Sequence, residues 1–188
     1  MSAICVVRLR PMPSPIGGAP TGRWDTNWLP DPVEATSDAL GNFTRAFCIE
    51  SWVDFGALTE AGDEAVLTLG AWTLTIINDN ALNPDYGKLY LTSADGATIS
   101  DAAYSETWIF VTVQRDNDFR VSLYLDGVLQ DSGSDPTDYS VVSGAAGLVV
   151  GPVVSSIELN FDDIRVTRGQ RYSANFTPPT APLCPFSP

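Results

Sequence analysis

The acidic residues of the stretch IESWVDF are the first candidates for chemistry, because paired carboxylates carry out glycoside hydrolysis. Glu50 and Asp54 lie four positions apart, and alternation along an extended strand points both to one face. Four residues of strand span about 13 Å, whereas paired glycosidase carboxyls stand roughly 5 to 9.5 Å apart. Trp52, on the same face, separates them. We therefore predict solvated strand residues here and no catalytic residue.

Other catalytic chemistries are limited by the absence of histidine from all 188 residues. Without imidazole there is no Ser-His-Asp or Cys-His catalysis and no histidine-based pH switch. Cys5, Cys48 and Cys184 have neither metal-ligand spacing nor the pattern of a disulfide framework. We expect reduced thiols that pack as small hydrophobic groups.

Charge and hydropathy exclude two classes of partner. The formal net charge is −13, and an acidic surface repels phosphate backbones, so we predict no nucleic-acid partner. The sequence has no apolar run of the roughly 18 residues that a membrane span needs. In the opening MSAICVVRLR the arginines follow the apolar run instead of preceding it, so we expect no signal peptide and no membrane partner.

Short apolar runs recur from about residue 43 and are separated by Gly, Asn, Asp and Ser. Evenly spaced runs of this length predict antiparallel strands in a sandwich or barrel. The eight runs are RAFCIESWVDF, EAVLTLG, WTLTIIN, GKLYLTS, TWIFVTVQR, FRVSLYLDGVL, GLVVGP and SIELNFDDIRVT. Asp126-Gly127 and the segment RDNDFR have the composition of hairpin turns.

Period-two alternation assigns the faces of these runs. One face feeds a core between two sheets, for which we predict Phe47, Ile49, Val53, Val111, Val113, Leu123, Leu125, Ile164 and Val166. In the last run the same alternation places Asp162 on the core side and Phe161 opposite. The other face mixes aromatic and charged side chains, which suits stacking on a sugar ring. The glycan-binding candidates are Glu50, Trp52, Tyr124 and Arg165.

Proline divides the chain. Residues 11–32 contain six prolines, which prevent a helix or a central strand. We predict an N-terminal extended arm with an edge strand over 1–42, a β-domain over 43–175 and a Pro-rich tail over 176–188. Apolar residues on a segment that cannot build its own core usually mark a partner surface, so we expect a homo-oligomer or larger assembly. The predicted assembly-arm residues are Ile4, Val6, Val7, Leu9, Trp24 and Trp28.

Three pieces of the sequence, in order, resemble the laminin-G-like, concanavalin-A-like jelly roll over roughly residues 43 to 175. The first piece is a strand of the form I-x-x-W-V, the second a W-x-x-V-x-V-x-R strand leading to a Y-x-D-G hairpin, and the third a strand ending in D-D-I-R-V. The matching residues are Ile49, Trp52, Val53, Trp108, Val111, Val113, Arg115, Tyr124, Asp126, Gly127, Asp162, Asp163, Ile164, Arg165 and Val166. The resemblance implies an all-β, two-sheet antiparallel jelly-roll sandwich.

The segment RYSANFTPP is similar to the tail that follows the last strand in laminin-G-like domains of bacteriophage structural proteins. This resemblance implies a non-enzymatic virion protein on the particle exterior, as a head decoration or tail component, anchored by its arms to other virion proteins. Such a protein is assembled in the reducing bacterial cytoplasm. The alternative function is a carbohydrate-binding module that attaches to host glycans.

The resemblance also raises a cation site at Asp162, because some members of the family use an acidic pair to hold calcium. Asp162 and Asp163 are adjacent in a strand, so their side chains point to opposite faces and at most one binds directly. Calcium takes about six to eight oxygens. We predict no cofactor and keep Ca²⁺ as the alternative, with Asp162 bonded to backbone groups in its absence.

Overall fold

A computed structural model describes residues 3–5, 24–25, 33–35, 46–69, 72–93, 96–104, 106–118, 120–130, 148–151, 157–180 and 183. In these residues the secondary structure consists of β-strands. No helix among them is long and apolar enough to cross a membrane. The strands are β1 (Ala3–Cys5), β2 (Trp24–Asp25), β3 (Val33–Ala35), β4 (Phe47–Phe55), β5 (Glu64–Leu69), β6 (Trp72–Ile76), β7 (Lys88–Ser93), β8 (Gly96–Ala103), β9 (Thr107–Arg115), β10 (Val121–Leu125), β11 (Val128–Leu129), β12 (Leu148–Val150) and β13 (Leu159–Arg168).

Two antiparallel sheets form the sandwich, as the sequence predicts. The first sheet has the order β1-β13-β4-β9-β10-β11, and β2 pairs with β13. The second sheet has the order β3-β12-β5-β6-β7-β8. Because every described pairing is antiparallel, one face of each sheet packs on the core and the opposite face is free to carry polar groups. The face of the first sheet that points away from the core is called the outer face below.

The core lies between the two sheets and contains all nine residues predicted for it. Aliphatic side chains of β4, β9, β10 and β13 meet those of β5, β6 and β7, and the Phe47 and Trp72 rings lie 5.3 Å apart across the layer. Burial of a Val, Leu or Ile side chain stabilises a fold by about 1.5 to 3 kcal/mol. Because the residues predicted for the core from β4 and β10 all lie in it, the face assignment of these two strands is confirmed.

The alternation predicted for β13 is wrong at its centre, because the strand contains a β-bulge. Asp162 pairs with Trp52 and Arg165 pairs with Glu50, so three steps on β13 match two on β4. The extra residue reverses the faces before it, and Phe161 joins the core while Asp162 lies on the outer face beside Trp52. The Ser51 hydroxyl lies 3.1 Å from the Asp162 carbonyl oxygen at the bulge.

All eight predicted runs contain a strand, and β8 was missed because its sequence GATISDAA has the composition of a loop. Both predicted turns are confirmed. Asp126 and Gly127 have φ of 50° and 76°, and the Asp116 carboxylate accepts hydrogen bonds from the amides of Asp118 and Arg120.

The short strands β1, β2 and β3 lie within the segment predicted as an arm. The first two pair with β13, and the third pairs with β12 at the edge of the second sheet. Most of the Pro-rich residues 11–32 and the residues after 183 lie outside the described part of the chain.

Candidate functional site

A buried carboxylate organises the centre of the outer face. Glu50 on β4 is 0% exposed, and its neighbours across the sheet are Thr112 on β9 and Arg165 on β13. Both Nε and Nη2 of Arg165 lie 2.9 Å from Oε2 of Glu50. Arg171 places its Nε 3.1 Å from the same oxygen. Two guanidinium groups therefore balance one carboxylate that has no access to water.

Residues 169–176, here called the strap, leave β13 and run back over this face. The side-chain amide of Gln114 on β9 bonds the strap backbone through both its oxygen and its nitrogen. Its Oε1 accepts from the backbone amides of Arg171 and Tyr172 at 3.3 and 3.2 Å, and its Nε2 donates to the Tyr172 carbonyl. Further along, the Phe176 amide donates to the Gly127 carbonyl at 2.9 Å. The strap is thus tied to β9 and to the β10–β11 turn.

Two aromatic rings of the strap lie on aromatic residues of the sheet. The rings of Tyr172 and Phe176 stack at 3.5 Å, with 7° between their planes. Phe176 meets Phe110 edge-on at 6.2 Å and Tyr124 at 5.5 Å. The Tyr172 hydroxyl donates a 2.6 Å hydrogen bond to Oε1 of Glu50. Burial, followed by the hydrogen bond and charge of Glu50, raises the pKa of Tyr172 to about 12.

The strap divides the outer face into two parts. The covered half lies beneath or beside the strap and consists of Cys48, Glu50, Thr112, Gln114, Tyr124, Arg165 and Thr167. The Trp patch lies at the other end of β4 and consists of Trp52, Asp54, Trp108 and Asn160. The two parts meet at Phe110, whose ring is 5.2 Å from that of Trp52 and 6.2 Å from that of Phe176.

Two tryptophans form the apolar part of the Trp patch. Trp52 pairs with Phe110, and Trp108 pairs with Asp54, so the two indoles are diagonal neighbours on β4 and β9. Both are half-buried, and diagonal neighbours stand about 7 to 8 Å apart. The Asn160 amide on β13 donates to Asp54 at 3.2 Å and to Glu158 at 3.0 Å, which fixes the direction of both carboxylates. The patch combines flat apolar rings with oriented hydrogen-bond acceptors.

The four glycan-binding candidates do not lie together in the open. Glu50, Tyr124 and Arg165 belong to the covered half, and Trp52 alone belongs to the Trp patch. The expectation that Glu50 is a solvated strand residue is wrong, because the two arginines and Tyr172 enclose it. Cys48, two residues before it on the same face of β4, is also buried, and burial and the Glu50 charge raise the pKa of this thiol.

The cation candidate Asp162 is 5% exposed and lies beside the Trp patch. Within the described residues, no three Asp, Glu or Cys side chains come together as a metal site would require.

Of the predicted assembly-arm residues, Ile4 and Trp24 lie in strands opposite Val166 and Phe161. Val6, Val7, Leu9 and Trp28 lie outside the described residues.

Trp108, Asp54 and Asn160 were not among the predicted site residues. The signal for Trp108 was available, since alternation in TWIFVTVQR places it on the same face as Phe110. The contact between Asn160 and Asp54 spans 106 residues and follows from strand order, which local sequence does not reveal. The same holds for the contacts of Gln114 and Arg171.

Comparison with solved structures identifies the fold. The binding domain of botulinum neurotoxin serotype D superimposes with a TM-score of 0.60 at 14% identity, over 81% of this chain and 40% of the neurotoxin chain. The receptor binding domain of botulinum neurotoxin D gives 0.52 at 15% identity, over 68% of this chain and 35% of that chain. A Trypanosoma rangeli sialidase, in complex with a difluorinated KDN, gives 0.53 at 13% identity, over 68% and 21%.

These similarities establish a β-sandwich. The chain spans well under half the length of each of these proteins, and the sialidase match covers only 21% of the enzyme. The two neurotoxin structures are binding domains by their own description. No family model and no curated protein matches the sequence.

Proposed function

We propose that this domain is a non-enzymatic carbohydrate-binding module and that the Trp patch is its glycan site. The observation that carries the proposal is the pair of half-buried indoles, Trp52 and Trp108, on one sheet face beside oriented polar groups. Flat aromatic rings stack on the apolar faces of sugars, and carboxylates such as those of the half-buried Asp54 and the exposed Glu158 bond their hydroxyls. Ligand sites generally combine apolar walls with a few convergent polar groups in this way.

Two further observations support a binding function without catalysis. Glu50, the carboxylate that would pair with Asp54, is 0% exposed and ion-paired with Arg165 and Arg171, so it is not free to act on a sugar bound at the Trp patch. The sandwich fold is also that of two neurotoxin structures described as binding domains. We therefore expect a bound oligosaccharide to be recovered intact.

The proposal is tested by the substitution Trp108→Ala, measured on an array of β-glucan and bacterial capsular oligosaccharides. Loss of one stacking ring should weaken binding at least about tenfold, which corresponds to about 1.4 kcal/mol. Leu82→Ala is the control, since Leu82 is 89% exposed in the turn between β6 and β7. Unchanged binding by Trp108→Ala, with the same thermal stability as the control, contradicts this site. Shortened sugars after incubation contradict the non-enzymatic reading.

The setting we propose for this module is the exterior of a phage particle. The support is the similarity of RYSANFTPP to the tails of phage laminin-G-like domains, together with the arm composition of residues 1–42. Labelling of intact particles with an antibody to this chain tests the proposal. If particles carry no label while free protein is labelled, the proposed setting on the particle exterior is contradicted.

A further inference from the structure

The strap lies on the surface although it covers buried groups. Each residue from 169 to 176 is half-buried or exposed, and Ser173, Ala174 and Asn175 are exposed. Beneath it Glu50 and Thr112 are 0% exposed and Gln114 is 1% exposed. Segments with few buried apolar contacts open locally at a lower free energy than core strands. The strap shares the exposed surface position of such segments, and its apolar contacts with the sheet are confined to the rings of Tyr172 and Phe176.

The strap does not provide hydrogen-bond partners for all the buried hydroxyls of the covered half. Thr112 lies between Glu50 and Tyr124 in the sheet, and Tyr172 contacts both of these neighbours. Thr167 lies beside Cys48. Both hydroxyls are buried, and neither has a hydrogen-bond partner among the residues that the structure describes. A buried hydroxyl without a partner is costly, because it has given up its bonds to water. The covered half therefore presents hydroxyls that the strap itself does not satisfy.

Opening of the strap would not leave Glu50 without a counterion. Arg171 and Tyr172 would depart with the strap, but Arg165 belongs to β13 and would keep both of its contacts at 2.9 Å. A buried charge that loses its only partner is strongly destabilising. Because one arginine of the pair comes from the sheet and the other from the strap, the carboxylate is balanced in both states.

We propose that the strap opens as a unit and that the covered half is a second binding surface for a polyhydroxylated ligand. Hydroxyls of the ligand would bond Thr112 and Thr167, and its rings would replace those of Tyr172 and Phe176 on Tyr124 and Phe110. The covered half meets the Trp patch at Phe110, so one oligosaccharide can span both. The ligand class rests on the proposed function, whereas the opening of the strap does not.

Hydrogen exchange on the full chain tests the opening. The amides of Arg171, Tyr172 and Phe176 are bonded to Gln114 and Gly127. We expect these three to share one protection factor, about a hundredfold below that of the β4 and β9 amides. Equal protection of strap and core amides would show that the strap leaves only on global unfolding, and would overturn the proposal.

Two substitutions test the second surface with the β-glucan and capsular oligosaccharides. Tyr172→Phe removes the bond to Glu50 and should raise the open population, and with it the apparent affinity, about tenfold. Thr112→Val removes an unpartnered hydroxyl, so it should slow strap exchange and weaken binding. The control Thr75→Val acts on a buried threonine of the second sheet, opposite Tyr90, and should change neither strap exchange nor binding.

The outcomes separate the two proposals. In one outcome, binding depends on Trp108 but is unchanged by Tyr172→Phe and Thr112→Val, and the sugar does not affect strap exchange. This outcome supports the Trp patch and overturns the second surface. If strap exchange becomes about tenfold faster when sugar is bound, the second surface is supported. If none of the oligosaccharides binds, the proposed function fails for them, and the exchange of the ligand-free chain alone decides whether the strap opens.

Discussion

At the scale of single residues, the contact between Tyr172 and Glu50 predicts how stability responds to alkali. The pKa of Tyr172 is raised to about 12 from an ordinary value of about 10 by burial and by Glu50. The folded state thus holds the phenolic proton more tightly than the unfolded state does. This contribution to stability is complete below pH 10 and is lost as the pH rises from 10 to 12.

The test compares the native chain with Tyr172→Phe in chemical denaturation from pH 9 to 12. Phenylalanine cannot titrate, so the variant should lose less stability over the upper part of this range, and the difference should narrow as the pH approaches 12. Because Tyr172 is half-exposed, solvent screening keeps the effect below that of a fully buried group. Parallel curves across the range would show that Tyr172 is not held by Glu50 in solution.

At the scale of elements, the β10–β11 turn and the strap depend on each other through Gly127. This glycine has φ of 76°, and a Cβ added to it would collide with the carbonyl oxygen of Phe176. Its own carbonyl accepts the Phe176 amide. The turn therefore requires glycine both for its backbone angle and for the close approach of the strap.

Gly127→Ala should lower the free energy of unfolding by about 1 to 3 kcal/mol from backbone strain and should also loosen the strap. Gly62→Ala is the matched control, since Gly62 has φ of 127° and no neighbour within 4 Å of an added Cβ. Only the first variant should speed exchange of the Phe176 amide. Equal effects of both variants on the strap would mean that the approach of Phe176 to the turn does not hold it in place.

At the scale of the whole molecule, the N-terminal segment joins the sandwich at its margin. Ala3–Cys5 pairs with Thr167 to Arg165 of β13, on the edge opposite β4, while the described core draws on residues from 47 onward. Deletion of residues 1–20 should therefore leave the fold intact with a modest loss of stability. If the segment also anchors the domain, as its apolar composition predicts, the deleted protein should fail to join oligomers or particles.

Light scattering and particle occupancy measure the assembly state, and chemical denaturation measures stability. A deleted protein that still occupies particles fully would place the anchor elsewhere in the chain. A deleted protein that does not fold would make β1 an essential strand of the sandwich.

The sequence by itself determined the strands and most of their faces. Period-two patterns are local, and burial of one face of a sheet enforces them, so Ile49, Val113 and Leu123 were placed correctly in the core. The same reasoning failed at Phe161 and Asp162, where one inserted residue changes the face without any local sign. Strand β8 was missed for a related reason, because its pairing with β7 compensates for weak strand propensity.

Only the tertiary structure decided which polar residues meet. Glu50, Gln114 and Tyr172 are far apart in sequence, and the strand order β13-β4-β9 with the return of the strap brings them together. Alternation assigned Glu50 to an outward face, but only the strap turned that face into a buried one. Trp52 and Trp108 became a pair through the register of β4 and β9. Side-chain periodicity is encoded locally, whereas register and coverage depend on contacts between distant segments, and the candidate site is made of such contacts.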